Sequence, residues 1–302
     1  MKGFRCRLLL LGLGAALILT IFSGCSPRRQ AANHVQEGLQ AFRQERWSEA
    51  VDFFDLAIGL VPDDLSARTL RGICYLKMER YPEAEADFSA ILTAHPDDIE
   101  AKKGRGEANL GLRRFQEAAN DFTEALGVDP GDMNSLNNRA FAYSNLGEFD
   151  KALADFDKAI AADSGNPVFF HNRGSVYRKM GKLPEARADF DKGIEVDPEN
   201  AILLAARGKV SYELGDWESA LTDFNAAIAK NPNYFGGFKF RGTGYKDQGK
   251  WKEALDDFNR AIELEKNDPE LYFERAATAY QLKDEDQYNK DMDVYNQMTG
   301  GR

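Results

Sequence analysis

The feature that most constrains this chain is a self-similarity at a fixed shift. Counting from Ala31, eight equal units follow one another to Arg302 without insertion or deletion: 31–64, 65–98, 99–132, 133–166, 167–200, 201–234, 235–268 and 269–302. A fixed period of this length marks a repeat array, in which each unit is too small to bury its own apolar face and neighbours complete it. The eighth position of the unit is always small (Gly38, Gly72, Gly106, Ala140, Gly174, Gly208, Gly242, Ala276). The twentieth is alanine from Ala50 to Ala254, and the twenty-fourth is phenylalanine from Phe54 to Phe258. Residues four apart share one face of a helix. A glycine inside a helix costs about 1 kcal/mol relative to alanine, and its recurrence points to a close helix crossing. Gly147, Gly181, Gly215 and Gly249 suit a left-handed turn between two helices. Pro62, Pro96, Pro130, Pro198 and Pro232 stop the second helix. The expected fold is all-α, built of helix-turn-helix units.

A charged pair recurs beside the apolar positions. The seventh position is Arg71, Arg105, Arg139, Arg173, Arg207, Arg241 and Arg275; the twenty-third is Asp87, Asp121, Asp155, Asp189, Asp223, Asp257 and Asp291. A half-buried charge needs a partner. The first unit has Glu37 and Phe53 at these positions. Pairing within each unit leaves no orphan, whereas pairing each Arg with the preceding unit's Asp strands Arg71 and Asp291. Seven bridges inside the units are therefore expected.

This pattern of small residue, tyrosine (Tyr75, Tyr143), alanine, phenylalanine, alanine and proline resembles the tetratricopeptide repeat family. The resemblance weakens in the last unit, where Tyr288 and Met292 replace the alanine and phenylalanine, and residues 284–302 read as a polar capping helix. It implies a right-handed superhelical solenoid whose first helices line a concave groove for protein partners. By that resemblance the groove holds Val35, Leu39, Phe42, Ile73 and Leu76 at its start. Asn134, Asn137, Phe141 and Asn145 follow in the middle, then His171, Arg178, Lys179, Lys209, Lys239 and Lys246. A groove running from apolar through amide-rich to basic suits an extended protein segment, an acidic one included.

Residues 1–24 stand apart. Lys2, Arg5 and Arg7 precede an apolar run from Leu8 to Phe22, the layout of a secretory signal peptide; an uncleaved anchor is the alternative. Phe22-Ser23-Gly24-Cys25 resembles the lipobox of bacterial lipoproteins, with Phe22 where leucine is usual. The resemblance implies lipid on Cys25 as the mature N-terminus, and Ser26 after it implies delivery to the outer membrane, facing the periplasm. Residues 25–30 are then a lipidated tether, extended to at most about 18 Å.

Other chemistry finds no support. A net charge of −10 argues against nucleic acid. His34, His95 and His171 lack metal-ligand spacing, and Cys74 is left as a single core thiol. Gly244, Gly249 and Lys250 imitate a phosphate loop, but a helix precedes them and Trp251 stands where serine or threonine belongs. No catalytic group, cofactor, metal or small-molecule substrate is expected. The sequence reads as a lipid-anchored periplasmic scaffold serving an envelope machine such as pilus assembly, secretion or cell-wall remodelling. The alternative is a periplasmic chaperone or docking factor for exported proteins.

Overall fold

The computed structural model describes residues 26–300. Sixteen α-helices occupy them, with no strand among the described residues, and the chain divides into two compact units at Met78/Glu79. The signal segment and Cys25 lie outside the described residues. No helix among the described residues is long and apolar enough to cross a membrane.

The first unit contains α1 (Pro27–Arg43), α2 (Trp47–Leu60) and α3 (Leu65–Lys77). Ala31, Ala57, Ile58 and Ala67 form its core, with Val35, Leu60 and Val61 packed against them. Helix α1 begins ahead of the first repeat. Pro27 occupies its first turn, a position where proline's missing N–H costs nothing. The Ser26 hydroxyl caps it, accepting from the Arg29 N–H at 3.3 Å. From Pro27 onward the segment read as a tether is helix, within the upper limit set on its reach. Helix rises only about 1.5 Å per residue, so the tether is shorter than its extended length.

The second unit begins with α4 (Tyr81–Ala94), α5 (Ile99–Gly111), α6 (Phe115–Val128), α7 (Met133–Leu146), α8 (Phe149–Ala162) and α9 (Pro167–Lys179). It continues with α10 (Leu183–Val196), α11 (Ala201–Glu213), α12 (Trp217–Lys230), α13 (Phe235–Asp247), α14 (Trp251–Leu264), α15 (Pro269–Gln281) and α16 (Glu285–Thr299). Within this unit every helix packs against the next, giving a solenoid of hairpins. The last residue of a repeat starts the following helix: Asp98, Asp132, Asn166, Asn200 and Asp268 each accept a backbone N–H of the first turn. Phe88, Phe122, Phe156, Phe190, Phe224 and Phe258 are no more than 1% exposed. At Gly174 an added Cβ would meet the Phe190 ring at 2.8 Å and the Ala186 carbonyl at 3.2 Å. Interiors this closely packed leave no space for the extra atom, which explains the recurrent small residue.

The turn between paired helices is left-handed in every repeat. Gly147, Gly181, Gly215 and Gly249 have φ of 71–83°, and the same position in the other four holds Glu45, Glu79, Arg113 and Lys283 at φ 56–61°. A side chain there costs roughly 1–2 kcal/mol. At the C-terminal end, the buried position that carries Ala125, Ala159, Gly193, Ala227 and Ala261 becomes Tyr295, whose ring lies 5.4 Å from that of Phe273.

The arginine ladder ties the second unit together. Arg105, Arg139, Arg173, Arg207, Arg241 and Arg275 each grip the aspartate of their own hairpin through Nε and Nη2, at 2.6–3.0 Å. The aspartate side chains are only 1–7% exposed. Such bidentate pairs are strong when buried and fully bonded. A further contact lies outside the sequence expectation. The remaining Nη1 reaches the preceding hairpin: Thr123 from Arg139, Asp157 from Arg173, Asp191 from Arg207, Asn225 from Arg241 and Asn259 from Arg275. Each of these five guanidinium groups thus fastens two repeats. Arg71 and Asp87 belong to different units; within the first, Arg71 bonds Asp55 at 2.5 Å.

Candidate partner-binding face

Within the second unit the first helices of successive hairpins touch side by side, α5 with α7, α7 with α9, α9 with α11, α11 with α13 and α13 with α15. No two successive second helices pack to that extent. One face is thus a continuous sheet of first helices, and its composition changes along it.

The middle of this face is amide-rich. Asn172 Nδ2 donates to Asn137 Oδ1 at 2.8 Å, and Asn137 Nδ2 donates to Asn138 Oδ1 at 3.2 Å. Asn145 donates to the Phe141 carbonyl at 2.8 Å, and Asn134 is exposed at the start of α7. Phe141 is 44% exposed, and the Phe115 ring lies 6.4 Å from it. His171 Nδ1 is 3.2 Å from Asn172 Oδ1. Burial holds its imidazole below the usual range. Val168 and Ile202, absent from the sequence reading, are 50% and 49% exposed.

The basic end differs from its expectation as an open positive surface. Arg178 bonds Glu213 at 2.8 Å, Lys239 bonds Asp268 at 2.7 Å and Glu270 at 2.5 Å, and Lys246 bonds Glu274 at 2.6 Å. Tyr212 donates to Asp247; burial first, then that bond, pushes its hydroxyl up to about 12. The acids that neutralise Arg178, Lys239 and Lys246 sit on the next first helix or just before it. Glu213, Asp247 and Glu270 occupy groove positions themselves, so the signal was present in the sequence. Lys209 and Lys179 are held differently. Lys209 lies 4.6 Å from the Phe240 ring centre, beside a cavity of about 270 Å³ lined by Phe224 and Phe240. Lys179 donates to the Ser144 hydroxyl at 3.2 Å. Burial, followed by the charge of Arg178, holds both ammonium groups below the usual lysine range.

The apolar start is half-buried rather than open. Val35 packs on the first unit's core, Phe42 meets Trp47 edge-to-face at 5.1 Å, and Leu39, Ile73 and Leu76 are half-buried.

Among the described residues no group of His, Cys, Asp and Glu could hold a metal ion. Burial pushes the Cys74 thiol up to about 11, away from reactive thiolate chemistry. Gly244 of the imitation phosphate loop lies in α13 against the Trp217 ring, where it makes room for the indole.

The comparisons agree with this architecture. Tetratricopeptide repeat models match residues 41–107, 134–166 and 171–235, and a TPR repeat model matches 242–283. A tetratricopeptide repeat protein from Parabacteroides merdae has a similar crystal structure, with TM-score 0.74 and 18% identity over 83% of this chain and 99% of that one. A chain of the APC/C hetero-tetramer Cut9–Hcn1 gives 0.64 at 15% identity over 89% of this chain, which spans 53% of the Cut9–Hcn1 chain. At these identities the likeness is one of fold. No curated protein matches the sequence. The repeat models, the stacked hairpins and the structural relatives together place the chain in the tetratricopeptide repeat family.

Proposed function

We propose that this protein is a non-catalytic adaptor of the bacterial cell envelope that binds a protein segment along its face of first helices. One observation carries the reading. That face is continuous through the second unit, and it varies from repeat to repeat in residues that repeat packing does not require: Phe141, Val168, Ile202 and the asparagines of α7. Exposed apolar groups interleaved with amides suit an extended segment, whose backbone the amides can bond. The lipobox-like Cys25 supports attachment by lipid, and Ser26 supports the outer membrane and its periplasmic side. A fixed, membrane-held binding face fits a scaffold within an envelope machine, for which pilus assembly, secretion and cell-wall remodelling are the settings proposed.

A photo-crosslinking residue placed in living cells at Phe141 or Val168 tests the face, with Val128, 70% exposed at the end of α6, as control. Discrete adducts at the first two and none at the third support the adaptor. A broad smear of adducts indicates a chaperone for exported proteins instead. Equal capture at Val128 sinks both. Replacing Cys25 with serine is expected to release the protein from the membrane fraction.

A further inference from the structure

Three rings at the C-terminal end of the first-helix face line a solvent-open cavity of about 300 Å³. Phe273 and Tyr280 come from α15 and Tyr288 from α16, with Ala277, Gln281 and Met292 completing the wall. Phe273 is 46% and Tyr280 65% exposed. The last repeat alone has Tyr288 and Met292 where the others have alanine and phenylalanine, so the packing that closes this space elsewhere is missing here.

The neighbouring hairpins show what such rings are used for in this chain. Lys209 lies 4.6 Å from the centre of Phe240, Lys250 5.6 Å from Tyr245, Arg241 5.8 Å from Phe238 and from Tyr245, and Arg275 5.8 Å from Tyr272. Phe273, Tyr280 and Tyr288 meet other rings instead: Tyr280 and Tyr288 are 5.7 Å apart, and Phe273 faces Tyr295. No cation lines the cavity. Glu270, Glu274 and Asp291 are taken up by Lys239, Lys246 and Arg275, which leaves Asp284, Glu285, Asp286 and Asp293 against Lys283 and Lys290 over 269–300. Asp284 caps α16 one turn before Tyr288, and with Glu285 and Asp286 it forms a run of three exposed carboxylates, none in an ion pair among the described residues, so unpaired acids outnumber Lys283 and Lys290 at this end. Aromatic faces in a negative field favour an ammonium or guanidinium over a neutral chain of the same size.

We infer that this cavity receives a lysine or arginine side chain of the protein segment bound along the first-helix face. The inference rests on the adaptor reading for its ligand's source, but its chemistry is testable without the partner. The full chain in detergent micelles, labelled with 13C at its methionine methyls, reports through Met292. N-acetyl-lysine methylamide and its arginine counterpart are titrated against N-acetyl-norleucine methylamide, which keeps the apolar stem and lacks the charge. The expected result is a Met292 shift that saturates about 5-fold more tightly for the cations, weakens with added salt, and falls about 5-fold in Tyr280→Leu and in Phe273→Leu. Equal binding of the norleucine compound, or cation binding unchanged in both variants, overturns the inference. A positive titration with no crosslinks at Phe141 refutes the adaptor and leaves the cavity's preference standing; the reverse outcome refutes the cavity alone.

Discussion

The cations of the third to eighth repeats meet their acids in two opposite ways. Arg105 to Arg275 occupy one position of the repeat, and their partners are aspartates 1–7% exposed inside the same hairpin. Arg178 and Lys246 occupy the twelfth position and Lys239 the fifth, but their acids Glu213, Glu270 and Glu274 share no register and lie on the next first helix, reaching 65% exposure at Glu270. The first set recurs because every hairpin needs it to close. The second occurs once each and shapes a surface. Recurrence in a repeat protein therefore sorts charge by purpose better than burial alone does, since Lys239 is only 14% exposed and still belongs to the second set.

The comparison breaks most visibly at Arg173. Its side chain is 16% exposed and fastens Asp189 and Asp157, and replacing it with leucine leaves a buried carboxylate alone. The loss is expected to be about 3–5 kcal/mol in guanidinium denaturation. Gly244 sharpens the contrast, because it is specific to one repeat and yet structural: an added Cβ would run into the Trp217 ring. Gly244→Ala gains helix propensity but overpacks that contact, for a net loss of about 1–2 kcal/mol in the same assay. Arg113→Gly acts in the other direction, relieving a side chain held in the left-handed region. It is expected to add about 1 kcal/mol, seen as a higher melting temperature. Arg178→Leu unpairs Glu213, itself half-buried on the face. Its cost is expected to stay below about 1 kcal/mol, and a midpoint matching that of Arg173→Leu would erase the distinction between the two sets. The smallest effect belongs to His171. Burial holds its folded pKa below the unfolded value, so the folded chain releases the proton more readily. Stability present above about pH 6.5 is lost as the pH falls toward the folded pKa. His171→Gln is expected to remove that acid sensitivity, read from melts between about pH 5 and 8.

What recurred from unit to unit was legible. Phe54, Phe122 and the small residues at the helix crossing announced the hairpin, and the charge pairing followed from the first repeat's lack of both partners. What depends on contact between repeats was not. The second grip, made by five of the arginines, reaches a position held by Thr123, Asp157, Asp191, Asn225 or Asn259, too varied to stand out as a pattern. The groove's acids went unread for a different reason: Glu213 and Glu270 reverse the sign only when paired with a cation on another helix. The left-handed turn was visible at four glycines and hidden at Glu45, Glu79, Arg113 and Lys283, where chain geometry overrides residue preference.

The unbroken cadence turns the second unit into a ruler. Because no loop absorbs slack, the spacing between the asparagines of α7 and the aromatic cavity of α15 is a whole number of hairpins. Excising one complete hairpin would bring those two stations closer by a single step, and a ligand long enough to touch both would have to shorten by the same measure.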